Sequence, residues 1–131
     1  MAYTVEQVLY RQLQATPAVT ALVGTRIYPN MAPQSTTSDY IIYEKVSGHP
    51  FQDHGSSGGL YRARISFLCH SATYSGAKAI QAALAATLDG FKGTMQGMAI
   101  GSCLQDMDAD AGFDDELRMH VVVIDFTVLY Q

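Results

Sequence analysis

The chain has 131 residues, 48% of them hydrophobic and only 15% charged, which excludes a disordered polyampholyte and is enough to bury one core without disulfides. A formal net charge of −4 argues against a protein that holds nucleic acid by neutralising phosphates. The imbalance is local: six of the twelve acids fall in residues 106–116, and the remainder is close to neutral.

Two cysteines, Cys69 and Cys103, lack metal-site or redox spacing. The opening MAYTVEQVLY has neither the charged start nor the apolar stretch of a signal peptide, and no run approaches the ~18 apolar residues that a membrane helix needs. Free thiols in a reducing cytoplasm are therefore expected, with no membrane partner.

Residues 4–15 are predicted as a helix, with Thr4 as N-cap, Gln7 as the return half of a capping box, and an apolar stripe of Val5, Val8, Leu9 and Leu13. TPAVTALVG restarts helix from Thr16, with Pro17 in its first turn and Gly24 at its end in a left-handed conformation. TRIYP (25–29) is a short β-prone piece closed by Pro29, and YIIYEKVS (40–47) reads as a strand. The Gly- and Pro-rich segment 48–59 is predicted as a projecting loop.

LYRARISFLCH (60–70) alternates most clearly. Tyr61, Ala63, Ile65, Phe67 and Cys69 point one way, and Arg62, Arg64 and Ser66 the other, as in an antiparallel sheet with one wet face. Residues 75–89 form an Ala-rich helix with a stripe of Ala77, Ile80, Leu84 and Leu88, stopped by Gly90. Residues 97–108 are a weaker strand and 116–130 a strong final one. The fold class is α+β in a single domain over 1–131, an antiparallel sheet of about four strands with two or three helices on one face.

Within DMDADAGFDDE, Asp106, Asp108 and Asp110 match positions 1, 3 and 5 of a calcium loop. The match then fails. Ala111 stands where Gly is needed, Leu117 where the bidentate Glu is needed, and the following segment reads as strand. A solvated acidic hairpin loop is the reading that remains for Asp106, Asp108, Asp110, Asp114, Asp115 and Glu116.

His49, Asp53 and His54 share one loop, yet their spacing does not pre-form a metal site. His70 and His120 read as structural strand residues, and His120 with Asp125 is no dyad because odd spacing sends them to opposite faces. No strand–turn–helix elbow surrounds Ser47, Ser66 or Ser102, and GSSGG leads into no helix that could hold phosphate. Cys69 lies on the core face. No catalytic, metal-binding or cofactor-binding residues are assigned, and an enzyme is not expected.

The run ALVGTRIYPNMAPQSTTSDYIIYEKVSG (21–48), followed in order by RISFLCHS, SGAKAIQAAL and DFTVLY, resembles the small tail-completion, or tail-terminator, proteins of long-tailed bacteriophages. The resemblance covers nearly the whole chain and rests on scaffold residues. It implies a virion protein, assembled in the host cytoplasm, that forms a homohexameric ring. The ring would cap the head-proximal end of the tail tube, stop its polymerisation and meet head-completion or stopper proteins. Its partners would be its own copies, the tail-tube protein and the head-completion protein, with DNA as passing cargo.

Another small head-closure or stopper connector is the alternative reading, and a metal binder built on residues 49–54 is a more remote one. Arg26, Tyr28, Phe51, Asp53 and His54 are the candidate interface residues. On such a ring, six acidic segments facing the lumen would bring about 36 formal negative charges to the wall and repel DNA phosphate.

Overall fold

A computed structural model describes residues 4–33, 36–50, 60–95 and 97–131. The chain runs α1 (Val5–Gln14), α2 (Pro17–Val23), β1 (Ile27–Pro29), β2 (Tyr40–Pro50), β3 (Tyr61–Ser71), α3 (Tyr74–Leu88), β4 (Gly93–Met95), β5 (Met98–Asp114) and β6 (Met119–Tyr130). One sheet contains all the strands among the described residues, in the order β1-β2-β3-β6-β5-β4.

The four long strands β2, β3, β6 and β5 are the antiparallel sheet expected from the alternation. Two three-residue strands extend it to six. β4 folds back on the start of β5. β1 lies parallel to β2, pairing Ile27 with Ile41 and Pro29 with Tyr43, so the sheet is not wholly antiparallel. Ten residues separate the two strands, which leaves length for the return that a parallel pairing needs.

The capping box of α1 forms as read. Thr4 Oγ1 accepts from the Gln7 amide at 3.4 Å, and the Gln7 side chain accepts from the Thr4 amide at 3.0 Å. Thr16 occupies the cap position of α2 without capping it, because its hydroxyl donates back to the Gln12 carbonyl at 2.8 Å. Gly24 ends α2 with φ +59°, a conformation that disfavours a side chain.

All three helices pack on one face of the sheet. Val5, Val8, Leu9 and Leu13 of α1, Val19 and Val23 of α2 and Ile80, Leu84 and Leu88 of α3 share a single cluster with Ile41, Ile65, Phe67, Cys69, Ile124, Phe126 and Val128. Phe67 and Phe126 meet edge to face at 5.9 Å in its middle. Burying that apolar surface is the main term that holds the domain together.

The other face is less open than alternation alone implies. Tyr40, Ile42 and Met119 form a second small buried cluster there, with Tyr28, Ala32 and Leu68 against it. Ser66, His70 and Asp125 are also buried on that side, where Tyr40 stacks on His70 and Arg64 lies against Asp125.

Candidate functional site

The acidic segment is where sequence and structure differ most. Residues 106–114 are not a loop: they are the second half of β5, paired with β6 to Asp114 opposite Met119, and the turn is confined to 115–118. Aspartate disfavours strands in isolation. Here the valine-rich β6 supplies a rigid partner, with Asp108 opposite Ile124 and Asp110 opposite Val122, and tertiary pairing overrides the local preference.

Register shifts between Gln105 and Met107 and between Asp110 and Gly112 break the alternation. As a result the acids diverge in direction. Asp106 lies 3.5 Å from the Nε of Arg64, on the face away from the helices. Asp110 instead reaches α3, where it pairs with Lys78 at 2.8 Å and accepts from the Tyr74 hydroxyl at 2.8 Å. Those donors, Lys78 first, hold its carboxyl below the usual aspartate range.

Asp108 accepts from the Gln105 side chain, and Asp114 accepts from the Leu117 amide and so closes the turn. Asp115 sits 3.9 Å from Arg118, and Glu116 is exposed at the tip. Among the described residues, three of the six acids therefore have a cation partner in the same chain. The run is not a uniform negative surface.

Of the proposed interface residues, Arg26 and Tyr28 are engaged within the chain. Arg26 Nε donates to the Asp39 carbonyl at 2.7 Å and ties β1 to the start of β2, and Tyr28 lies tilted against Tyr40 at 6.2 Å. Phe51, Asp53 and His54 lie outside the described residues. His49, assigned to a loop beginning at residue 48, is instead on β2, which continues to Pro50 opposite Tyr61. Pairing with β3 keeps this Gly-containing stretch extended.

A polar pocket missed by sequence reasoning lies on the open face near the end of β2. It has a volume of about 200 Å³ and is lined by Ser47, His49, Arg62, Ala63, Arg64 and Thr127. Cross-strand register builds it: Ser47, Arg64 and Thr127 form one row across β2, β3 and β6, and His49 faces Arg62 in the adjacent row. Arg64 is anchored by Asp125, which is 3% exposed and accepts from Nη2 at 2.7 Å and Nε at 2.9 Å through a single oxygen. The alternation of Arg62 and Arg64 was visible in the sequence, but the partners that turn it into a pocket were not.

Both thiols are free and buried. Burial pushes Cys103 up to about 12 and Cys69 higher still, so neither is a poised nucleophile. Among the described residues, no group of three or more His, Cys, Asp or Glu is placed to hold a metal ion. No helix among them is long and apolar enough to cross a membrane.

The geometry is that of a scaffold presenting polar surfaces. A model of the family described as tail completion protein gp17 matches residues 7–131. A chain from the virion of a native gene transfer agent particle has the same fold: 18% identity, TM-score 0.77, with 96% of this chain and 93% of that chain covered. No curated protein matches the sequence.

Proposed function

Because this chain belongs to the tail completion protein gp17 family, we propose that it acts as the tail terminator, assembling into a six-membered ring at the head-proximal end of the tail tube. In that position it stops tube polymerisation and offers the surface on which the head-completion protein docks. The observation that carries this reading is the family match over residues 7–131, nearly the whole chain. The fold likeness to a chain of a virion particle supports it.

Polar, register-built surfaces on a sheet backed by helices suit a protein whose work is assembly. A lumenal placement of residues 106–116 would set only Asp108, Asp114 and Glu116 against DNA without a cation partner among the described residues. The distribution of charge over the molecule favours a different use for that segment.

The test is negative-stain electron microscopy of a lysate from the parent phage with this gene deleted. Filled heads beside unattached tubes of uncontrolled length are the expected result. Free tubes of normal length would assign the protein to joining alone, the role of a head-closure connector. Normal infectious particles would overturn both readings.

A further inference from the structure

Each outer edge of the sheet is covered over one end only. β1 pairs with β2 at Ile41–Tyr43, and the Asn30 amide donates to the Tyr43 carbonyl at 3.0 Å. On the other side β4 pairs with β5 at Met98–Ile100, and the turn after α3 extends that cover. There the Gly90 amide donates to the Cys103 carbonyl at 2.7 Å, and Asp89 Oδ1 accepts from the Gln105 amide at 2.9 Å. Beyond these caps, no strand among the described residues lies outside residues 44–50 of β2 or 106–114 of β5. An open strand edge is a template on which another chain can add a strand.

The residues change in character where the cover ends. The covered stretches YIIY (40–43) and MAIGSCLQ (98–105) contain no charged residue. The first uncovered residues are Glu44 and Lys45 on one edge and Asp106 on the other, with Asp108, Asp110 and Asp114 following. One register shift, between Ile100 and Ser102, falls at the end of the β4 cover. The others fall at or beyond the caps: between Lys45 and Ser47, Gln105 and Met107, and Asp110 and Gly112. Met107–Asp110 is left as a regular run of only four residues. Pro50, which has no amide hydrogen to offer, ends β2.

We infer that the charges and register shifts of these two half-edges guard the sheet against strand addition by another chain, a second copy included. The hazard lies in the same stretches, where Met107, Phe113 and Val46 are 39%, 42% and 54% exposed. Without the charges, both edges would present extended, partly apolar backbone. Asp106 with Arg64 and Asp110 with Lys78 are ion pairs at the surface, and an incoming strand would strip water from both. Asp108, without a cation partner among the described residues, would be desolvated as a lone charge. The two edges follow the same rule with different residues, so the acids of β5 are one instance of it. The guard is independent of the tail-terminator role.

The test compares two variants of the purified full chain that lose the same formal charge. Asp106→Thr/Asp108→Thr lies on the open edge, and Asp115→Asn/Glu116→Gln lies in the β5–β6 turn. Sedimentation velocity over a concentration series reads association, and a thermal melt reports folding. The edge variant is expected to associate at about tenfold lower protein concentration than wild type, because two strand-averse charges give way to strand-forming residues. The turn variant is expected to match wild type. In the associated edge variant, amide hydrogen exchange is expected to slow at Met107–Asp110 relative to its monomer. Asp108→Thr alone breaks no ion pair, and it is expected to shift association in the same direction if the double variant fails to fold.

Equal association of edge and turn variants would assign the effect to net charge and overturn the guard. So would edge variants that associate no more readily than wild type, or that associate without slowed exchange at Met107–Asp110. Wild type that already assembles with slowed exchange at those amides would show an edge open to strand addition, and the guard would again be overturned.

Discussion

Arg64 directs two guanidinium nitrogens, Nη2 at 2.7 Å and Nε at 2.9 Å, at one oxygen of buried Asp125, while the other carboxylate oxygen has no hydrogen-bond partner among the described residues. The charge of Asp125 is thus balanced almost entirely from one side, with Asp106 competing for the same guanidinium at 3.5 Å. Replacing Arg64 by Met keeps the aliphatic stem but strands the carboxylate. A loss of about 2–4 kcal/mol is expected, in the lower part of that range because Arg64 is partly exposed. Arg64→Met/Asp125→Asn should recover more than half of it in urea unfolding. A double variant no more stable than Arg64→Met would show that the pair is not coupled.

Glycine in a helix is ordinarily a weak point, and replacement by Ala is worth about 1 kcal/mol. Gly76 in the first turn of α3 is an exception. A Cβ there would collide with the Ser71 hydroxyl and come within 2.8 Å of Thr73 Oγ1. Those hydroxyls are in use: Ser71 donates to Asp39 at 3.0 Å, and Thr73 caps the helix by accepting from the Gly76 amide at 3.0 Å. Gly76→Ala is expected to destabilise by about 1–3 kcal/mol, seen as a lower melting temperature. An unchanged or raised melting temperature would mean that the Ser71–Asp39 link contributes nothing.

How much of this could be read from the sequence depends on the range of the interaction involved. The capping box of Thr4 and Gln7 and the stripe of Ala77, Ile80, Leu84 and Leu88 were legible because each is set within a few residues. The strand character of residues 109–114 was not. It is imposed by β6, and the bulges at 105/107 and 110/112 erase the alternation by which a strand is read. The direction of β1 is set by β2, a strand more than ten residues away, and β4, three residues paired with the start of β5, is too short to show alternation. The pocket was hidden for the same reason: Ser47, Arg64 and Thr127 meet only through register across three strands.

The two thiols provide a probe of native packing. Cys69 and Cys103 are both fully buried, and burial raises both against ionisation. Since the thiolate is the reacting form, neither should react with Ellman's reagent in the native protein at pH 8, and both should react in urea. Rapid labelling of either thiol without denaturant would indicate local opening of β3 or β5 and contradict the packing described above.

His70 gives the protein an acid-sensitive element. Its ring stacks on Tyr40 at 4.3 Å, its Nδ1 lies 3.2 Å from the Leu68 carbonyl, and desolvation lowers its pKa despite the opposing effects of that carbonyl and of Asp114. In the unfolded chain a histidine titrates near 6.5. As pH falls below about 6.5 the unfolded state takes up a proton that the native state resists, so stability decreases with acidification until the lowered native pKa is passed. His70→Phe keeps a ring against Tyr40 and removes the titration. Melting temperatures measured from pH 7.5 to 5 should therefore fall less steeply for His70→Phe than for wild type. Parallel curves would assign the acid sensitivity to the carboxylates, and the stack with Tyr40 would then be a packing contact without a protonation role.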